Sequence, residues 1–141
     1  MAQFQKPECK SVELFRPPQV KRPAKDVPED FARWYGAWGG GVWNGTWCHD
    51  LIVLSVAADG AVEVLDMHAP SPEYNRPATI FKRRGRIQPD GSLRFRHGVV
   101  QRHYELHDGV VHGLRQGDSF SGGALRVVMS RKPVNDMVVF K

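Results

Sequence analysis

Phe81-Lys82-Arg83-Arg84-Gly85-Arg86-Ile87-Gln88-Pro89-Asp90-Gly91-Ser92-Leu93-Arg94-Phe95-Arg96-His97 (residues 81–97) is two β-like runs around one turn. Pro89-Asp90-Gly91 suits a three-residue hairpin loop, a type I turn followed by glycine in the left-handed region. That loop sets Ile87 opposite Leu93, Gly85 opposite Phe95 and Arg83 opposite His97. Phe81, Ile87, Leu93 and Phe95 then share one face, and Lys82, Arg84, Arg86, Arg94 and Arg96 share the other. A two-residue loop would mix the two sets. Side chains alternate with a period of two, so the three-residue loop is the reading that sorts them.

The same pattern extends in both directions. Asp-Gly occurs three times, at 59–60, 90–91 and 108–109, each between β-like runs, and is a strong short-range hairpin signal. The runs are 42–57, 61–68, 80–88, 92–97, 99–107, 110–115 and 124–132, with a further candidate at 134–140. Such a procession predicts an all-β fold, an antiparallel up-and-down barrel of seven or eight strands. A three-residue loop at Ala58-Asp59-Gly60 pairs Leu54 with Val64, Ile52 with Asp66 and Asp50 with His68. At the third turn the same rule pairs Tyr104 with His112. The two-residue alternative there is nearly as good, and would cluster His103, Glu105 and His112 as a two-histidine, one-carboxylate set; the expectation is no metal.

Upstream of the barrel the chain changes character. Residues 1–28 hold Pro7, Pro17, Pro18, Pro23 and Pro28 and read as an extended basic arm, since proline fixes φ and lacks an N–H. The arm is expected to lie along the body, anchored by Val12, Leu14 and Phe15, to join two subunits as a homodimer, or to be disordered. Residues 29–141 form the one barrel domain. It opens on a short helix over Pro28–Gly36, with Phe31, Trp34 and Tyr35 on one face and acids in the first turn. Gly39-Gly40-Gly41 then ends the regularity.

Composition narrows the function classes. The chain has 141 residues, 41% of them hydrophobic, with no apolar run near the ~20 residues of a membrane span, so no membrane partner is expected. The formal charge is +5, yet residues 1–28 carry six Lys/Arg against three acids, more than half of the excess. A nucleic-acid surface on the folded body is therefore not expected. Cys9 and Cys48 read as free thiols in a reducing compartment, and the predicted location is cytoplasmic.

In a meander the three Asp-Gly turns lie at one end. Asp50, Asp66, His68, Arg83 and His97 thus gather at the other, together with the 69–79 loop and, on this reading, the aromatic helix. An apolar interior with a few convergent polar groups is the anatomy of a ligand site. Trp43, Trp47, Phe81, Phe95 and Tyr104 are the expected apolar contacts; Arg83, His97, His68 and His112 are the polar ones. Asp50 and His68 are the candidate acid–base pair, the carboxylate orienting the imidazole.

Gly36-Ala37-Trp38 and Gly45-Thr46-Trp47 resemble the glycine-x-tryptophan motif of calycin-type barrels, the lipocalin-like and avidin-like proteins. That resemblance implies a tryptophan plugging one barrel end beneath a short helix, with a late arginine packed on it; Arg131, after Leu125, Val127 and Met129, is the match.

The function expected is binding of a largely apolar small molecule with a polar or anionic group. Proton-transfer catalysis of the isomerase, cyclase or lyase type is compatible with it, and no cofactor motif is visible. The alternative is a nucleic-acid or protein-interaction module using the Arg-rich face over 82–96.

Overall fold

Eight antiparallel strands close into an up-and-down barrel in the computed structural model, which describes residues 18–45, 47–71, 75–117 and 124–132. Helix α1 (Glu29–Ala32) leads into β1 (Gly36–Trp43), β2 (Trp47–Val56), β3 (Ala61–His68) and β4 (Thr79–Ile87). β5 (Leu93–His97), β6 (Val100–His107), β7 (Val110–Gln116) and β8 (Ala124–Lys132) follow, and β8 returns to pair with β1. The candidate strand at 134–140 and the anchors Val12, Leu14 and Phe15 lie outside the described residues. None of the described helices is long and apolar enough to cross a membrane.

The middle hairpin has the expected register, with Ile87 opposite Leu93 and Arg86 opposite Arg94. Ile87, Leu93 and Phe95 are buried while Lys82, Arg84, Arg86, Arg94 and Arg96 are exposed on the outer face.

Several sequence expectations need correction here. The run 42–57 is two strands, because Asn44-Gly45, both at positive φ, turns the chain between Trp43 and Trp47. Asn-Gly is itself a hairpin signal. The glycines over 39–41 belong to β1, at a bulge between Trp38 and Gly41. A Cβ on Gly41 would lie 2.5 Å from the Met129 and Val127 side chains, so the missing side chain is what lets β8 pack inward there.

The third Asp-Gly turn takes the two-residue form. His107 pairs with Val110, and Asp108 and Gly109 have φ of 52° and 76°, the pair of positive values that a type I′ turn requires. Tyr104 therefore faces Gly113, not His112, and its ring covers the glycine: a Cβ there would sit 2.8 Å from two ring carbons.

The helix lies at the end carrying the Asp-Gly turns, not at the end of the 69–79 loop. β1 begins opposite Val53, close to the first turn, and the Trp34 indole N–H donates to the Gly91 carbonyl at 2.9 Å. Trp38 lies beneath, its Nε1 donating to Trp34 O at 3.0 Å and the Arg131 guanidinium 4.2 Å above its ring. Arg131 also donates to the carbonyls of Tyr35 and Arg33, tying the end of the helical turn to β8. Apolar side chains from Val53, Val56, Val62, Ile87, Leu93, Leu106 and Val111 join the same core cluster.

Part of the arm packs on its own barrel. Lys21 N donates to Leu54 O at 2.8 Å, and Val20 covers a second small cluster of Ala37, Ile52 and Met67 on the outer face. Cys48 is disulfide-bonded, contrary to the free thiol expected.

Candidate functional site

One displaced residue decides which side chains line the polar half of the interior. Val56 pairs with Val62 as expected, but a register shift between Val53 and Ser55 changes the parity of β2 beyond it. His49 thus stands opposite His68, Leu51 opposite Asp66 and Asp50 opposite Met67. Asp50 is on the outer face, where a Cβ on Gly39 would approach its carboxylate within 2.5 Å. The Asp50–His68 pair does not form; His49 and Asp66 take its place in the barrel.

Asp66 is fully buried and is held by two arginines. Arg102 forks onto it, Nη1 to Oδ1 at 3.0 Å and Nη2 to Oδ2 at 3.1 Å, and Arg83 Nε reaches Oδ2 at 2.8 Å. Bidentate charge-assisted bonds of this kind are the strong ones. Burial alone would push the Asp66 carboxyl up; Arg102 foremost, with the Arg83 bond, more than reverses this and holds it far below the usual range. Arg102 keeps its charge despite burial because the Tyr104 and Asp66 oxygens accept hydrogen bonds from its guanidinium.

The histidines are neutral for the opposite reason. Burial lowers His49 to about 4 and His68 well below its usual value, against the pull of Asp66. Their tautomers follow from their partners. Met67 O can only accept, so the His49 Nδ1 at 2.8 Å carries the proton, and Nε2 accepts from the Tyr104 hydroxyl at 2.9 Å. An indole can only donate, so Trp43 Nε1–H gives its hydrogen bond to His68 Nε2 at 2.9 Å. The His68 proton is then on Nδ1, 3.8 Å from Asp66.

The rings stack in a column. Trp43 to His49 is 5.1 Å, His49 to His68 4.4 Å and His68 to Trp47 4.1 Å between centroids, with interplanar angles of 24°, 15° and 26°. Arg102 lies 5.4 Å from the Trp43 ring and Arg115 5.3 Å from Trp47, both in cation–π range. Two imidazoles this close could not both be charged, which agrees with their neutrality.

His49, Asp66 and His68 offer ligand atoms within 4.8 Å of one another, the spacing of a metal site. The hydrogen bonds argue against that use: both imidazole lone pairs are taken by Tyr104 and Trp43, and two guanidiniums already crowd the carboxylate.

In this half Arg102 Nε and His97 Nε2 are buried with no hydrogen-bond partner among the described residues. They are neighbours across β5 and β6, where Arg102 stands opposite Phe95 and His97 opposite Val100; burial first, then the charges of Arg102 and Arg83, lower His97 to about 4. Phe95 lies between them, its ring 5.5 Å from the Arg102 guanidinium and 6.4 Å from the His97 ring. An unmet buried donor on a charged group is costly, and points to an acceptor that completes it.

The structure thus brings together Trp43, Trp47, His68, Arg83, Phe95, His97 and Tyr104 from the predicted set. Phe81 is at the rim, 49% exposed beneath the Arg83 guanidinium. His112 is outside, exposed and opposite Glu105, as the two-residue turn dictates. The residues that sequence reasoning missed are His49, Arg102 and Arg115. Arg102 had a signal: Val100, Arg102, Tyr104 and Leu106 alternate on one face, and a lone cation in such a row is a buried, paired charge. A scan against family models found no match to the chain, and neither did searches of curated proteins and of solved structures.

Proposed function

We propose that the barrel binds a small, largely apolar molecule through an anionic group, held in the polar half of the interior. The observation that carries this reading is the pair of unpartnered buried nitrogens, Arg102 Nε and His97 Nε2. A ligand carboxylate would accept from Arg102 Nε, with the Nε2–H tautomer of His97 a further donor beyond the Phe95 ring. Arg83, which holds Asp66 at 2.8 Å, adds a second cation. Phe95, Trp43, Trp47 and the rim Phe81 offer apolar contact to the rest of the ligand.

Binding is favoured over proton-transfer catalysis by where the protons are. A general base needs an accessible lone pair, and those of His49 and His68 are engaged by buried donors. The Tyr104 hydroxyl, pushed up to about 12 by burial, stays protonated. The closed end supports the same reading: Trp38 under Arg131 and α1 resembles the plug of calycin-type barrels, which leaves the opposite end for the ligand. The disulfide at Cys48 favours an oxidising compartment over the cytoplasm.

Titration calorimetry with dodecanoate and dodecanol tests the reading. The acid should bind one to one and at least tenfold more tightly, as a charge-assisted bond worth about 1.5–3 kcal/mol requires. Equal affinities, or no binding of either, would overturn it.

A further inference from the structure

The arm's positive charge and the sheet's positive charge, separate in the sequence, come together in the fold. Lys82, Arg84 and Arg86 point outward from β4, and Arg94 and Arg96 from β5. Alternate residues of a strand are about 6.7 Å apart and neighbouring strands about 4.8 Å, so these five form two parallel rows of cations. Arg86 is directly opposite Arg94, a like-charge pair that costs stability.

The bond from Lys21 N to Leu54 O lays the arm beside this sheet and adds a third row, Lys21 and Arg22. Between arm and sheet runs a groove of about 720 Å³, hollowed by the small residues Ala24, Ala57, Ala61 and Gly85 and edged by Lys21, Arg22, Arg84 and Arg86. Acids answer only part of the charge. Glu63 pairs with Lys82 at 3.2 Å, Asp59 with Arg86 at 3.6 Å and Asp90 with Arg94 at 3.5 Å. Seven cations against three carboxylates leave four in excess, and neither Arg84 nor Arg96 has an ion pair among the described residues.

We propose that this groove binds the backbone of single-stranded nucleic acid without sequence preference. Rows of cations two residues apart match the repeat of an extended phosphodiester chain, and the groove would carry one strand past Lys21, Arg22, Arg84 and Arg86. Five of the seven cations are arginines, whose planar guanidiniums also stack on bases. The outer positions from Lys82 to Arg86 and along β5 hold no apolar side chain to enter a lipid layer, which disfavours a membrane. Without an aromatic platform there, binding depends on charge and is salt-sensitive. This proposal is independent of the interior ligand.

The experiment is fluorescence anisotropy of a labelled 20-residue oligothymidylate with the intact chain. Four neutralised phosphates give a log–log salt slope of about −3, a loss of roughly 50-fold between 50 and 200 mM salt. Arg84→Gln/Arg96→Gln on the sheet and Lys21→Gln/Arg22→Gln on the arm should each weaken binding at least tenfold and flatten that slope. Circular dichroism and dodecanoate affinity should be unchanged in both. No binding at 50 mM salt, binding untouched by either double variant, tighter binding of a duplex of equal length, or binding only to phosphatidylserine vesicles would each overturn the proposal.

Discussion

Asp66→Asn removes the one carboxylate on which the polar half of the interior is built. In the native protein this side chain is fully buried and accepts three charge-assisted hydrogen bonds, two from Arg102 and one from Arg83. An amide oxygen still accepts, but the Arg102 guanidinium is left buried without a counter-charge. Breaking a buried ion pair from one side costs about 3–5 kcal/mol, against a total stability of about 5–15 for a domain. The melting temperature should fall on the order of 10–20 °C. Urea denaturation gives the free energy directly. Arg102→Leu alone should cost a similar amount or somewhat less, because the buried Asp66 is then left with Arg83 as its one counter-charge. The double variant Asp66→Leu/Arg102→Leu should be more stable than the sum of the single changes, by about 2 kcal/mol or more, because neither charge is then left alone. A cost below about 1 kcal/mol for Asp66→Asn, with the denaturant slope unchanged, would refute the pairing.

Acid should act on the same region through His49. Its value is about 4 folded against 6.5 unfolded, so the unfolded chain binds a proton first and stability falls as pH drops from 6.5 to 4, by roughly 3 kcal/mol from this residue alone; His49→Gln should flatten that part of a pH series of urea midpoints. Gly113→Ala, whose Cβ would lie 2.7–2.8 Å from Val127 and the Tyr104 ring, should cost about 1–3 kcal/mol in the same assay. Trp38→Ala should cost about 3–5 kcal/mol by emptying the plug of the turn end, read as a fall in the urea midpoint. Far-ultraviolet circular dichroism should be dominated by β signal, since the described helix spans four residues.

Most of the barrel was legible because its turns are chemically explicit. Pro89-Asp90-Gly91 set both register and face for β4 and β5, where Lys82, Arg84, Arg86, Arg94 and Arg96 fall on one face and Ile87, Leu93 and Phe95 on the other, with Arg83 the one cation on the apolar side. Arg131 over Trp38 was expected only through the resemblance to calycin-type barrels, which implies a late arginine packed on the tryptophan. The candidate site was less so, for a local reason. Leu51-Ile52-Val53-Leu54 is apolar on both faces, so nothing in it reports the bulge, and the parity error passed to every residue before it. Asp50 was read as interior where His49 stands. At Asp108-Gly109 both loop lengths kept some apolar order, since Val110 and Val111 are alike; the choice fell to backbone twist, which favours the type I′ turn. The position of α1 was misjudged because β1 was not recognised within the glycine run, and without that strand the helix falls at the wrong end.

The most direct test of an anion site at Arg102 observes its Nε–H group by nuclear magnetic resonance. In a protein labelled with ¹⁵N, dodecanoate is added to a one-to-one ratio, with dodecanol as control. The Arg102 Nε–H resonance should shift and saturate with the acid and stay in place with the alcohol, and Arg83→Gln should weaken the response without unfolding the barrel. A resonance at Arg102 that does not move while those of Arg84, Arg94 and Arg96 do would contradict an interior site.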